Sequence, residues 1–195
     1  MTADTTDDAA VRQGCRRIEQ WHAQHGRARF NPPADGRVLG RLAAHFGRPL
    51  PAALRTLLGL HDGAAEGDYA LPMRATEPVC WRLLPAAEIE AEAASLAAVA
   101  HTLPAAPPVR ATGPVEATWW SARWVPIAED GSGDRVCFDT APPAGGIEGQ
   151  LVLYAHDTPE RRVLQSSLAA WLQEAADDLE AGRYRLAPGV GLTRT

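Results

Sequence analysis

Residues 119–139 read WWSARWVPIAEDGSGDRVCFD, and this stretch decides the fold. Two apolar runs flank a short acidic loop at residues 130–134. Within that loop, Gly131 and Gly133 can adopt the positive φ angles that a tight hairpin turn needs, while the acids keep the turn soluble. The stretch therefore predicts two antiparallel strands joined by a turn.

The same loop could instead hold a metal ion or a nucleophile, but its pattern fits neither. A calcium loop starting at Asp130 needs a glycine at its sixth position and an acid at its twelfth. Those positions hold Arg135 and Ala141. A nucleophile elbow lies between a strand and a helix, whereas Ser132 lies between two predicted strands. We predict no metal, no cofactor and no catalytic residue.

One enzymatic alternative stays open as a minor hypothesis. A small hydrolase could use His61 with Asp62, or Ser132, as its reacting groups. It would require these side chains to converge in one pocket.

Hydrophobic periodicity and turn residues predict the remaining elements. Asp35 is suited to cap a second helix, Pro51 to begin a third, and Gly63 to end it. Helices are predicted at residues 9–24, 35–46, 51–60, 85–100 and 166–181, and strands at residues 69–71, 79–84, 118–128, 135–140 and 150–156. Helices, then strands, then a helix predict an α+β fold, with an antiparallel sheet flanked by N-terminal and C-terminal helices. We expect a single domain over residues 1–195, with a Pro/Ala linker at residues 101–114.

Tryptophan placement within the quoted stretch has a further implication. If residues 118–128 form one strand, Trp120 and Trp124 share a face and Trp119 takes the other. We expect the pair to be buried and Trp119 to be a surface anchor for a partner.

The charges are unevenly distributed along the chain. All 19 basic residues are arginine; residues 11–55 hold nine of them against two acids, and residues 56–195 hold ten against 19 acids. A sequence pI near 5.7 argues against direct nucleic-acid binding.

The acidic start of the chain lacks the apolar core of a signal peptide, and no apolar run is long enough to span a bilayer. We expect a cytoplasmic protein with reduced cysteines and no membrane contact.

Two groups of polar residues on helices are interpreted as solvent-facing. His22 and His25 are three residues apart on the first helix, without a third metal ligand. Asp177, Asp178 and Glu180 lie near the end of the last helix, where they oppose its dipole. We expect both groups to be solvated.

Several motifs in a fixed order resemble a known family. The residues concerned are Leu50-Pro51-Ala52-Ala53-Leu54-Arg55-Thr56-Leu57-Leu58 with His61-Asp62-Gly63; Leu83-Leu84-Pro85; Trp119, Trp124, Pro126-Ile127-Ala128, Asp130-Gly131, Gly133-Asp134 and Asp139; residues 149–157; and Trp171-Leu172. This order resembles the SMI1/KNR4 family of the SUKH superfamily over roughly residues 38–179. Residues 1–37 would then be an N-terminal helical extension. Asp62 departs from the family pattern, in which asparagine is common.

The resemblance implies an α+β domain with no known catalytic centre, and it leaves two functions open. Many bacterial members of the family look like immunity proteins, so the chain would occlude a cognate toxin domain, possibly a nuclease. The alternative is a constitutive scaffold or regulator, because eukaryotic relatives include a regulator of cell-wall synthesis. In the first case, acidic loops would mimic substrate phosphates. The candidate partner-binding residues are Asp62, Glu66, Asp68, Glu77, Trp119, Glu129, Asp130, Asp134 and Asp139.

Overall fold

A computed structural model of the chain describes residues 3–26, 30–102, 108–188 and 191–195. The five α-helices within these residues are α1 (Ala3–His25), α2 (Gly36–His45), α3 (Ala52–Leu60), α4 (Ala86–Thr102) and α5 (Leu168–Glu180). The strands are β1 (Leu71–Pro72), β2 (Cys80–Leu83), β3 (Arg110–Thr112), β4 (Trp124–Glu129), β5 (Arg135–Asp139), β6 (Leu151–Tyr154), β7 (Glu160–Gln165), β8 (Tyr184–Ala187) and β9 (Gly191–Arg194). A short 3₁₀ helix spans Arg74–Thr76.

Local signals account for the ends of the helices. Asp35 accepts hydrogen bonds from the N–H groups of Arg37 and Val38 and so caps α2. Ser167 caps α5 in the same way through the N–H of Ala170. Helix α3 ends at Leu60 and is followed by His61 in an extended conformation, so the prediction that Gly63 ends this helix is wrong; Gly63, whose φ is +70°, lies two residues beyond the cap. All five predicted helices are confirmed, within a few residues at their ends.

Strands β1 to β7 form one sheet in the order β1-β2-β4-β5-β6-β7-β3. All neighbours in it are antiparallel except β3, which pairs in parallel with β7. Strands β8 and β9 form a separate hairpin. The predicted α+β class and the β4–β5 hairpin are confirmed. The sequence interpretation missed β3, β7, β8 and β9.

The two faces of the sheet are covered by different helices. Val136, Phe138 and Leu153 lie in a large apolar core with residues of α1, α3 and α5. Cys137 and Val152 alternate with them and belong to a smaller core, against which Leu96 of α4 packs. The two faces are therefore covered differently. On the face that carries the smaller core, residues 113–121 cover part of the sheet beside α4.

Three expectations about particular residues are wrong. The strand predicted from residue 118 begins at Trp124, because the N–H of Trp124 bonds back to the carbonyl of Ser121 in a turn. His22 is 1% exposed and its Nε2 lies 3.1 Å from the carbonyl oxygen of Ala70. Asp178 is fully buried, because Arg74 and Arg183 pair with its carboxylate.

The predicted linker at residues 101–114 is described only in part. Residues 103–107 lie outside the described residues, and Arg110–Thr112 form β3. None of the helices within the described ranges has the length and apolar character that crossing a membrane requires.

Candidate partner-binding surface

The β4–β5 turn is held in one shape by a single carboxylate. Oδ1 of Asp130 accepts hydrogen bonds from the N–H groups of Ser132, Gly133 and Asp134, at 2.9, 3.2 and 3.0 Å. Its Oδ2 accepts the Ser132 hydroxyl at 2.5 Å. Gly131 and Gly133 have positive φ angles of 78° and 126°. The quoted acidic stretch is therefore a preorganised turn, as its glycines predict.

Two neighbouring loops pack against this turn. The hydroxyl of Tyr69 lies where a Cβ on Gly131 would be, and the ring of His156 lies where a Cβ on Gly133 would be. Because both glycines lack a side chain, the loop before β1 and the loop after β6 approach the turn closely. The sequence interpretation missed Tyr69 as a contact of the turn.

Four carboxylates meet at this end of the sheet. Asp130 and Asp134 come from the turn, Glu66 from the loop before β1, and Asp157 from the loop after β6. The charges of Glu66 and Asp130 both act on Tyr69, and those of Asp130 and Asp157 both act on His156. We call these four residues the acidic end. Three separate stretches of sequence therefore supply one negatively charged surface.

The arginines beneath the acidic end are turned inward. The side chain of Arg82 is 4% exposed and binds Glu129 at 2.6 Å and Glu88 at 2.5 Å. The side chain of Arg135 is 13% exposed and binds Glu92 at 3.0 Å. These pairs neutralise the carboxylates nearest the sheet. The four carboxylates of the acidic end take no part in these ion pairs.

The net charge of the acidic end depends on pH through His156. Oδ1 of Asp134 lies 2.8 Å from Nδ1 of His156 and also accepts the backbone N–H of His156 at 3.0 Å. The hydrogen bond to Asp134 raises the pKa of His156, and the nearby charges of Asp157 and Asp130 raise it further. Protonation of the ring reduces the net negative charge of this surface.

A set of three possible metal ligands occurs at the same place. Ligand atoms of Asp134, His156 and Asp157 lie within 4.8 Å of one another. Oδ1 of Asp134 and Nδ1 of His156 are already engaged with each other. The contacts present are those of a charge-paired turn, and the expectation of no metal stays a prediction.

Four further candidate partner-binding residues are buried, cap a helix or pair elsewhere in the fold. Oδ1 of Asp62 accepts the backbone N–H of Ala86, and Asp68 is 8% exposed. Glu77 lies away from the acidic end, where it accepts the Tyr184 hydroxyl and pairs with Arg194. Asp139 is 1% exposed at the opposite end of β5, bonded to the N–H of Ala141 and the side chain of Gln150.

Trp119 is half-buried and is held by an arginine that the sequence interpretation missed. Arg161 is 0% exposed; its Nη2 donates to the carbonyl of Trp119 at 2.8 Å, and its Cζ lies 5.4 Å from the Trp119 ring. The same guanidinium lies 4.2 Å from the ring of Tyr154. Burial lowers the pKa of Arg161. Arg161 is one of two adjacent arginines in a polar stretch, and such a pair gives no sequence signal for this role.

The side chains of the hydrolase hypothesis are engaged in separate contacts. His61 pairs with Glu19 at 2.5 Å, Asp62 caps Ala86, and Ser132 donates to Asp130. The geometry therefore does not bring them together as a nucleophile and base.

Comparison with known proteins agrees with the motif order. Residues 33–174 match the SMI1 / KNR4 family (SUKH-1). The chain is 26% identical over 190 residues to "Cell wall biosynthesis/cell cycle regulator smi1" of Schizosaccharomyces pombe, an alignment that covers 89% of the chain and 37% of that protein. It is 34% identical over 61 residues to "Glucan synthesis regulatory protein" of Neurospora crassa, covering 31% of the chain and 12% of the relative. It is 30% identical over 63 residues to "Cell wall assembly regulator SMI1" of Saccharomyces cerevisiae, covering 32% and 12%.

The chain thus spans well under half the length of these relatives, which are named as regulators and not as enzymes. The family match, in contrast, covers most of the chain, including the β4–β5 turn and its two neighbouring loops. The protein belongs to the SMI1 / KNR4 family (SUKH-1).

Proposed function

We propose that the chain is a regulatory protein-binding domain that docks on a basic surface of its partner through the acidic end. The observation that carries this proposal is the convergence of Glu66, Asp130, Asp134 and Asp157 from three loops onto one end of the sheet. The cations nearest to them, Arg82 and Arg135, are turned inward. The outward charge of this surface is therefore negative.

The hydrogen bonds of the β4–β5 turn make this surface suited to binding. Asp130 fixes the turn before any partner arrives, so little conformational entropy is lost on docking. A negative surface also accelerates encounter with a positive one at low salt, and that gain falls as salt screens the charges.

The names of the fungal relatives support a regulatory role over catalysis. Each is named for regulation of cell-wall or glucan synthesis or assembly. Because the chain spans only part of each relative, we infer a docking contribution and assign none of their whole-protein activities to it.

Affinity capture with charge-reversed variants tests the proposal. The intact chain, Glu66→Arg and Asp157→Arg are immobilised and exposed to extract from the source cells, and bound proteins are quantified by mass spectrometry. Both residues are exposed, so the fold should tolerate the changes. Asp177→Arg makes the same charge change at an exposed position on α5, away from the acidic end, and is the matched control.

We expect a partner that both acidic-end variants lose and Asp177→Arg retains. Calorimetry with that purified partner should then show affinity that weakens between low and moderate salt. Equal capture by all four proteins would remove the acidic end from partner binding.

The same acidic end also favours a second candidate function, that of an immunity protein. The half-buried carboxylates of the rigid turn, together with the exposed Glu66 and Asp157 beside it, can occupy a groove that a nuclease uses for phosphates. We infer that such a partner would be a toxin domain encoded beside this chain. Its test is co-expression with the toxin domain of the neighbouring gene: restored growth that Glu66→Arg abolishes supports immunity. Continued toxicity with the intact chain present refutes it.

A further inference from the structure

Two concave regions meet at Arg48, at the end of the sheet opposite the acidic end. One borders Trp124 at the start of β4, and the other borders Thr140 just after β5. The first is largely apolar and the second is charged. We call them the apolar groove and the basic cleft.

The apolar groove has aromatic walls and a floor of small side chains. Phe46, Trp120 and Trp124 line it on one side, and Ala93, Ala94 and Ala97 of α4 line the other. Its volume is about 190 Å³. Small-molecule sites usually exceed roughly 300 Å³, so the groove is better suited to a single side chain of a partner.

The basic cleft has more positive than negative side chains around it. Arg48, Arg55 and Glu148 line a volume of about 330 Å³. The side chain of Arg55 is exposed and forms no ion pair with any residue that the structure describes. The charge of Arg123, which is also exposed, acts on Arg48. The three arginines therefore lie near two acids, Glu148 and the buried Asp139, whose charges both act on Arg48.

Arg48 joins the two regions into one surface. Its Nη2 donates to the carbonyl of Ala122 at 3.2 Å, and its Cζ lies 6.0 Å from the centre of the Phe46 ring. Phe46 and Ala122 both line the apolar groove. Next to Glu148 lies Ile147, which is 61% exposed. A chain segment leaving the groove would therefore meet the arginines and an exposed apolar side chain.

We propose that this surface binds a short acidic segment of a partner protein. One large apolar side chain fills the groove, and carboxylates one to three residues away pair with Arg48 and Arg55. The guanidinium fork matches the planar geometry of a carboxylate. The proposal rests on the proposed function, that the chain is a protein-binding domain, and adds a second docking site to it.

The charges favour an acidic peptide over a nucleic acid. Glu148 lies within the cleft, and the whole chain has a formal charge of −5. A continuous phosphate backbone would meet these negative charges along its length, whereas one or two carboxylates need only the arginines.

Peptide selection against the intact chain tests the inference. Randomised peptides of about twelve residues are displayed on phage, selected on the full-length protein at low salt, and the enriched peptides are measured by fluorescence anisotropy. Ala94→Arg would obstruct the groove, and Arg55→Glu would reverse the cleft. Ala98→Arg and Arg12→Glu make the same changes at exposed positions that line neither region.

We expect enriched peptides in which a large apolar residue lies within three positions of Asp or Glu. Both test variants should weaken their binding at least about fivefold, and both controls should leave it unchanged. The inference is overturned if no acidic–apolar motif is enriched, if test and control variants behave alike, or if a single-stranded oligonucleotide binds this surface more tightly.

The proposed protein-binding function and the proposed second docking site can be refuted by different results. Loss of peptide binding in all variants, with the captured partner still sensitive to Glu66→Arg, would remove only the second site. A protein that captures no partner through either end would refute the protein-binding function itself.

Discussion

Oδ1 of Asp62, just after α3, accepts the backbone N–H of Ala86, the first residue of α4, at 2.7 Å. The two residues are 24 positions apart in the sequence. This hydrogen bond satisfies one of the unpaired N–H groups at the start of α4 and ties that helix to the N-terminal helical layer. It places Asp62 within the framework that supports the acidic end.

Removal of this cap should lower stability without changing partner binding. We expect Asp62→Ala to reduce the free energy of unfolding by about 1 kcal/mol, because one helix N–H loses its acceptor. Asp62→Asn should retain most of the stability, since an amide oxygen also accepts. Urea unfolding measures both, with Glu66→Ala as an exposed control on the same loop. A loss no larger than that of Glu66→Ala would refute the capping role.

Gly63 combines a positive φ with a close backbone approach. Its φ is +70°, and an added Cβ would lie 2.5 Å from the carbonyl carbon of Leu84 and 2.8 Å from Cα of Pro85. Gly47 has a similar φ of +63° and open space around it. We expect Gly47→Ala to cost about 1 kcal/mol from the backbone conformation alone. Gly63→Ala should cost at least ~3 kcal/mol, because backbone atoms must also move.

Thermal and urea denaturation of the two alanine variants gives the comparison. The difference between them isolates the contact of Gly63 with residues 84 and 85. If both variants lose the same stability, the close approach is not a constraint in solution.

Asp178 should make stability depend on acid pH. Burial raises the pKa of its carboxyl, but hydrogen bonds from Arg74 and Arg183 outweigh burial and hold the pKa below its usual range. A lowered folded-state pKa contributes stability that is present above the unfolded pKa and is lost as pH falls through the folded pKa. We therefore expect Asp178→Asn to cost about 2 kcal/mol at neutral pH and less below about pH 4.

Urea unfolding at neutral and acid pH measures this dependence. Asp177→Asn is the matched neighbour: its side chain is 56% exposed and pairs with Arg17 at the surface. We expect that variant to cost under about 1 kcal/mol. A cost for Asp178→Asn that does not shrink in acid would show that the carboxylate charge is not the source of the stability.

His156 should titrate above the ordinary histidine range because of Asp134. The hydrogen bond between them raises the pKa of His156 from 6.5. A raised folded-state pKa contributes stability that is fully present below the unfolded pKa and is lost as pH rises through the folded pKa. We expect NMR titration of the ring protons to show the raised pKa, and Asp134→Asn to lower it. A His156 midpoint unchanged by Asp134→Asn would refute the pairing.

The helices and the β4–β5 hairpin could be predicted because their signals are local. Asp35 and Pro51 mark helix starts through contacts within a few residues, and Gly131 and Gly133 mark a turn in the same way. Strand β3 could not be predicted, since its three residues are all exposed and its partner β7 lies about fifty residues later. Trp119 and Trp120 lie within the predicted strand but outside the observed one, because a turn ending at Trp124 replaces the ladder there.

The surface role of the acids could be predicted only in part. Glu66, Asp130 and Asp134 do lie together, but Asp139 is buried and Glu77 pairs with Arg194 at another place. Asp157 completes the acidic end; the family-like stretch at residues 149–157 includes it, but it was not among the candidate partner-binding residues. The sequence gives the sign of each charged side chain, but it does not show which residue of opposite charge pairs with it in the fold.

The sequence by itself determined the α+β class, the helix ends, the preorganised β4–β5 turn and the family, because each depends on short-range patterns or on their order. Tertiary structure alone decided which carboxylates remain outward, and it placed the arginines of the basic cleft beside the apolar groove. The physical reason is distance along the chain. Arg74 reaches Asp178, and Arg48 reaches Ala122, only after packing brings their elements together.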